Sequence, residues 1–218
     1  MDYKRLYLFS YNVLQSFGWA AALFVACFSL YPSFRGTHVF EKSGYLVGLF
    51  QGLSILETVH AATGLVGSGV AVSFVQWAGR SHVLFAILSA LPQLQRSAAV
   101  GPLFLAWAAS EVIRYPWYAA TLLGRCPHAL TWLRYTAFIP LYPVGVLAEV
   151  WIILEALPIA KESGMYSLRM PNWANFAFDY PMFLWALLAV YPFAWLQLYA
   201  QLLRSRSKKL APPRPKEP

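Results

Sequence analysis

The stretch LRYTAFIPLYPVGVLAE, from Leu133 to Glu149, is long and apolar enough to cross a membrane, yet it contains Tyr142 and Glu149, seven residues apart. On an α-helix this spacing is about two turns, so both side chains lie on one face, roughly 10 Å apart along the axis. The prolines of the stretch predict a kinked axis. Because an ionisable residue is costly at membrane depth, a functional site is the first hypothesis. The alternative is a Glu–Arg pair that only holds two helices together.

The composition of the whole chain indicates a helical membrane protein. Of 218 residues, 59% are hydrophobic and 12% are charged, whereas a soluble domain carries about 25% charged residues. The apolar runs are continuous rather than alternating, which excludes a β-barrel. The formal charge of +8 is concentrated at the chain ends, which favours a membrane surface over nucleic acid as the partner.

Six apolar runs predict an all-α membrane protein, a bundle of six transmembrane helices. The first run has no clear cleavage site and is expected to remain as a helix. Residues 1–203 form the predicted transmembrane domain, and residues 204–218 a basic, Pro-rich cytosolic tail that is expected to be disordered. The longest internal loop is predicted at 158–180. The six runs are 11–31, 45–66, 72–91, 100–123, 129–153 and 182–203.

The distribution of Lys and Arg predicts the orientation of the bundle. With six spans, both termini and the loop containing Arg125 share one side and carry nine Lys and Arg residues, whereas the loops of the other side carry five. Since the positively charged side faces the cytosol, both termini are predicted to be cytosolic.

Six charged residues fall inside the predicted spans, three acidic and three basic, so they are able to neutralise one another. Glu111 and Arg114 are at i,i+3 and can pair on one helix. Arg80 and Arg134 fall in the cytosolic halves of their spans, which predicts a cavity open to the cytosol with a basic mouth suited to a phosphate-bearing carrier. The alternative for these two arginines is snorkelling to the interface. The six residues are Glu57, Arg80, Glu111, Arg114, Arg134 and Glu149.

Several chemistries do not fit the motifs. Four scattered histidines cannot supply the clusters of a di-iron hydroxylase, and the single E-x-x-H of Glu57 and His60 is half of what a carboxylate di-iron bundle requires. We therefore favour a polar packing role for His60. A cysteine phosphatase has an arginine six residues after its cysteine, but six residues after Cys126 the chain has Trp132. No metal or redox cofactor is predicted.

Three stretches together resemble one known family: SEVIRYPWY (110–118), LRYTAFIPLYPVGVLAE (133–149) and MYSLRMPNWANFAFDY (165–180). The family is that of the very-long-chain (3R)-3-hydroxyacyl-CoA dehydratases of fatty acid elongation, first named protein tyrosine phosphatase-like. Its plant members are called PASTICCINO-type, and the chain is expected to be one of them. The resemblance covers nearly the whole sequence.

The resemblance implies a function and a set of site residues. It implies dehydration of a very-long-chain 3-hydroxyacyl-CoA to trans-2-enoyl-CoA in the endoplasmic reticulum membrane, with the condensing enzyme, the ketoacyl-CoA reductase and the enoyl-CoA reductase as partners. Tyr142 and Glu149 match the catalytic pair. The residues that match supporting or substrate-binding positions are Gln76, Arg80, Glu111, Arg114, Tyr115 and Arg134.

Dehydration needs one group to accept a proton and another to donate one, and the sequence alone does not assign these roles. We prefer Glu149 as the base at the carbon next to the carbonyl and Tyr142 as the donor to the departing hydroxyl. Two other classes of protein stay open. A non-catalytic adaptor of the elongase complex would have the same topology without needing the Tyr–Glu pair. A transporter would also use buried charges, but the sequence has no visible repeat.

Overall fold

The computed structural model describes residues 2–30, 38–173 and 175–211, and this part of the chain folds almost entirely into helices. No strand forms there apart from a single antiparallel bridge between Leu168 and Phe178. A π-helical segment, His82–Leu88, continues the fourth helix, and a 3-10 turn, Pro92–Arg96, follows it. The α-helices are α1 (Tyr3–Ser29), α2 (Val39–Leu53), α3 (Ile55–Ala62), α4 (Val70–Ser81), α5 (Val100–Leu122), α6 (His128–Arg134), α7 (Phe138–Ser163) and α8 (Tyr180–Leu210).

Within the described residues, four helical segments are long and apolar enough to cross a membrane: 3–29, 70–88, 128–163 and 180–210. The first of them, with 27 residues, is about 40 Å long, which exceeds the hydrocarbon thickness of a bilayer of roughly 30 Å. The prediction of a helical protein with membrane-spanning segments is thereby confirmed, whereas the number of six spans stays a prediction.

Two of the predicted continuous spans are interrupted. The second divides at Ser54 into α2 and α3, and the fifth divides at residues 135–137 into α6 and α7. The second break has a clear cause in Pro140, which has no N–H to donate to the carbonyl four residues earlier. At the third position of α7, where no intrahelical donor is needed, the same proline is tolerated.

The helix ends also differ from the prediction. α7 continues through Pro158 to Ser163, where Gly164 adopts a left-handed φ of 63° and ends the helix. The loop predicted at 158–180 therefore begins six residues later. α8 begins at the cap Asp179, whose carboxylate accepts the N–H of Met182 at 2.7 Å. It runs to Leu210, so the first residues of the predicted disordered tail are helical. Arg35 and residues 212–218 lie outside the described residues.

The core of the bundle is built around α5. This helix packs against α1, α2, α6 and α7, and α7 in turn packs against α8. Phe104, Trp107 and Tyr115 of α5 are buried, whereas only Tyr180 and Leu184 are buried on α8. α5 therefore positions side chains at the centre of the bundle, and α8 covers α7 from the outside.

The close approach of α1 and α2 depends on Gly18. A Cβ added at this position would lie 1.9 Å from the ring of Phe50, far inside van der Waals contact. Both residues are buried, so the Phe50 ring occupies the space that a side chain on α1 would otherwise fill.

We expect Gly18→Ala to destabilise the bundle, because overpacking a filled core costs about 1–3 kcal/mol. The measurement is the thermal unfolding temperature of the purified protein in detergent. Gly52→Ala is the matched control, since Gly52 lies on α2 and a Cβ added there would have no atom within 4 Å. An equal unfolding temperature for Gly18→Ala and the unmodified protein would mean that Phe50 moves aside without loss.

Candidate active site

The Glu149 carboxylate is buried between three helices and accepts a hydrogen bond on each oxygen. From α5, Trp107 donates its Nε1–H to Oε1 at 2.9 Å, and from α8, Tyr191 donates its hydroxyl to Oε2. The residue is 9% exposed. None of the ion pairs among the described residues includes Glu149, so the alternative of a structural Glu–Arg pair finds no support.

Tyr142 lies two turns before Glu149 on α7 and faces the same neighbouring helix. Its ring is stacked on Tyr199 of α8, with centroids 6.2 Å apart and planes 4° apart, and it also stacks on Trp195. Because Glu149 contacts Tyr191 of the same helix, the two predicted residues do share one face of α7. The hydroxyl of Tyr142 forms no hydrogen bond within the described ranges, and no hydrogen bond joins it to Glu149.

A second cluster of charges lies where α3, α4 and α5 meet. Arg80 donates to Glu111, and Arg114 donates to Glu57 at 2.7 Å. Arg114 Nε also lies 2.6 Å from Glu111 Oε2, an ion pair without the alignment of a hydrogen bond. Two arginines and two glutamates therefore neutralise one another inside the helix bundle. The predicted i,i+3 pair of Glu111 and Arg114 is confirmed.

Tyr115 and Trp107 extend this cluster. The buried hydroxyl of Tyr115 donates to Glu57 and accepts from Arg114. The guanidinium of Arg80 lies over the ring of Trp107, 5.5 Å from its centroid, a cation–π distance. Since the indole of Trp107 donates to Glu149, a continuous chain of contacts connects the charged cluster to the Glu149 carboxylate.

Gln76 and Arg134 are not brought into either group. Gln76 is exposed on α4, and Arg134 is half-buried at the end of α6. Neither forms a hydrogen bond or an ion pair with the described residues. Of the six charges that are able to neutralise one another, four form ion pairs in the structure, whereas Arg134 and Glu149 form none with the described residues.

The contacting residues that are absent from the predicted site residues include Glu57, Trp107 and Tyr191. Glu57 is one of the six charges within the predicted spans, and its i,i+3 neighbour His60 faces elsewhere, 2.9 Å from the hydroxyl of Tyr7. This contact fits the polar packing role favoured for His60. Trp107 and Tyr191 lie in aromatic-rich apolar segments, where no local pattern distinguishes them from other ring residues.

Comparison with known proteins gives one consistent family. A family model described as "Protein tyrosine phosphatase-like protein, PTPLA" matches residues 51–212. Very-long-chain (3R)-3-hydroxyacyl-CoA dehydratase 1 of Mus musculus is 37% identical over 202 residues, covering 92% of this chain and 71% of the mouse protein. Very-long-chain (3R)-3-hydroxyacyl-CoA dehydratase PASTICCINO 2 of Arabidopsis thaliana is 34% identical over 209 residues, covering 95% of this chain and 94% of the plant protein.

A third relative, very-long-chain (3R)-3-hydroxyacyl-CoA dehydratase 2 of Homo sapiens, is 34% identical over 209 residues, covering 94% of this chain and 81% of the human protein. Animal and plant relatives are thus similarly close, and the expectation of a plant member stays a prediction. No solved structure matches the chain significantly. With most of its length inside the family match, the chain belongs to the PTPLA family of protein tyrosine phosphatase-like proteins.

Proposed function

We propose that this chain dehydrates very-long-chain (3R)-3-hydroxyacyl-CoA to trans-2-enoyl-CoA, the third step of fatty acid elongation. The observation that carries the proposal is the buried Glu149 carboxylate, held by two neutral donors, with Tyr142 on the same face of α7. The names of the mouse, human and plant relatives, all of them very-long-chain (3R)-3-hydroxyacyl-CoA dehydratases, support the reaction and the substrate class.

In the proposed reaction Glu149 is the base and Tyr142 the acid. Glu149 removes a proton from C2, the C2–H electrons form the C2–C3 double bond, and the C3–O bond breaks. Tyr142 donates its proton to the departing hydroxyl, which leaves as water. The free hydroxyl of Tyr142 supports this assignment, because a donor with no protein partner is available to the substrate. Glu149 then releases the acquired proton to solvent and the Tyr142 phenolate takes one up from solvent, which restores the starting state.

The charged cluster is proposed to support the site rather than to perform chemistry. Arg80 connects it to Glu149 through Trp107, and Arg114, Glu111 and Tyr115 hold one another. Arg134 and Gln76 are proposed to bind the carrier, because neither forms a hydrogen bond or an ion pair with the described residues. A planar guanidinium is well suited to a phosphate group such as those of coenzyme A.

The six-span topology with both termini in the cytosol is part of the proposal. Besides the four long apolar segments, α5 has 23 residues, and α2 with α3 covers 39–62, so both are long enough to span a bilayer. Membership of the PTPLA family leads us to propose two further properties. The protein lies in the endoplasmic reticulum membrane, and it assembles with the condensing enzyme, the ketoacyl-CoA reductase and the enoyl-CoA reductase.

A tag at either terminus is expected to be accessible to antibody when only the plasma membrane is permeabilised. The physical reason is the excess of Lys and Arg on the side of both termini. A tag inserted in the loop between α7 and α8 is the internal control, and it is expected to be protected until all membranes are opened. A protected C-terminal tag beside an accessible N-terminal tag would mean an odd number of spans.

The direct test of the proposed function is incubation of the detergent-purified protein with a long-chain (3R)-3-hydroxyacyl-CoA, with the enoyl product measured by mass spectrometry. Formation of trans-2-enoyl-CoA is expected. Correctly folded protein that forms no product with any chain length tested would favour the non-catalytic adaptor of the elongase complex.

A further inference from the structure

We infer that Tyr191 is a positioning residue, which together with Trp107 fixes the orientation of the Glu149 carboxylate for proton abstraction. The inference rests on the proposed function and deepens it. It starts from the observation that both oxygens of one buried carboxylate accept hydrogen bonds from opposite sides, from α5 at Oε1 and from α8 at Oε2.

The two donors determine the plane of the carboxylate. Rotation about the terminal torsion of a glutamate is only weakly restricted, because a bond between sp3 and sp2 atoms has broad minima. An indole nitrogen is a donor only, so Trp107 holds Oε1 as an acceptor. Tyr191 engages the other oxygen, and together the two contacts prevent the carboxylate from turning. Each oxygen keeps a further lone pair that is able to accept a proton from the substrate.

The hydroxyl of Tyr191 has Glu149 as its one hydrogen-bond partner among the described residues. Tyr191 itself is half-buried on α8, whereas Trp107 is 2% exposed in the centre of the bundle and also lies under Arg80. Removing the Tyr191 hydroxyl therefore isolates the effect on Glu149, which removal of the Trp107 indole would not.

The test is Tyr191→Phe in the full-length protein, with Tyr180→Phe as the matched control. Tyr180 lies on the same helix, and its hydroxyl is 2.9 Å from Nε2 of His82, so its variant also loses one hydrogen bond of α8. We expect kcat to fall about 10- to 100-fold in Tyr191→Phe with KM unchanged, since a small misplacement of a reacting group has effects of that size. Tyr180→Phe is expected to keep the kcat of the unmodified protein.

An infrared measurement separates positioning from general weakening of the fold. The carboxylate band that disappears in Glu149→Gln is expected to shift in Tyr191→Phe and to stay in place in Tyr180→Phe. An unshifted band, an increase in KM alone, or equal losses of kcat and melting temperature in both tyrosine variants would each overturn the positioning role.

The failure of this inference is distinguishable from the failure of the proposed function. If Glu149→Gln is inactive and Tyr191→Phe turns over at the rate of the unmodified protein, the dehydratase proposal stands and the role of Tyr191 is wrong. If Glu149→Gln is fully active, Glu149 is not the base and the proposed mechanism itself is overturned.

Discussion

Glu149→Gln is expected to lower the kcat for dehydration by about 10²–10⁴-fold, the usual contribution of a general acid or base. The substitution keeps the size of the side chain and the ability to accept from Trp107, but an amide cannot remove a proton from C2. Turnover is measured on purified, correctly inserted protein by following enoyl-CoA. A variant with the kcat of the unmodified protein would make Glu149 a structural residue.

Glu155→Gln is the matched control for this substitution. Glu155 lies on the same helix and, like Glu149, accepts a hydrogen bond from an indole, that of Trp151, at 2.8 Å. It has no contact with the Tyr142 face. Its variant is expected to retain full activity, which would exclude a general effect of removing a carboxylate from α7.

Tyr142→Phe is expected to lower kcat similarly, because it removes only the proposed proton donor and keeps the ring stacked on Tyr199. The double variant with Glu149→Gln is expected to be little slower than the slower single variant, since residues that act as a unit are not additive. Multiplied losses in the double variant would contradict the paired mechanism.

Glu111→Gln is expected to have the largest effect on stability. Glu111 is 2% exposed and faces both Arg80 and Arg114, so its neutralisation leaves two half-buried guanidinium groups with only Glu57 as a counter-charge. Removal of one partner from a buried ion cluster costs on the order of 3–5 kcal/mol. The measurement is unfolding of the purified protein in detergent or in bilayers.

The control for Glu111→Gln is Glu41→Gln. Glu41 pairs with His38 at the surface, at 3.1 Å, and an exposed pair contributes about 0–1 kcal/mol. The unfolding midpoint of this variant is expected to be nearly unchanged. Similar midpoints for the two variants would mean that water screens the cluster around Glu111 as it screens the surface pair.

The positions of the helices were largely predictable, because apolarity summed over about 20 residues is a strong signal. Each of the six predicted runs overlaps helical structure. The breaks at Ser54 and at 135–137 were not predicted, since the apolar composition continues through them. In the second case Pro140 was a visible signal, but it predicted a kink and not the turn at 135–137 that separates α6 from α7.

Within the site, only what depends on local spacing was predictable. Tyr142 and Glu149 share a face because they are seven residues apart on a helix, and Glu111 and Arg114 pair because they are three residues apart. Tyr191 and Glu149 are 42 residues apart in the chain, so their contact depends instead on how α7 packs on α8. Nothing in the sequence distinguishes Tyr191 from Tyr199, which stacks on Tyr142 from the same helix.

The charged cluster has a consequence for biosynthesis. The partner of Glu57 in α3 is Arg114, which is synthesised 57 residues later. The partner of Arg80 in α4 is Glu111, which is synthesised 31 residues later. At ribosomal rates of synthesis the first interval lasts roughly 3 to 11 seconds. During that time α3 and α4 have left the ribosome with charges that no partner neutralises. Within the proposed six-span topology, we therefore expect stable transfer of α3 and α4 from the translocation channel into lipid to wait for α5.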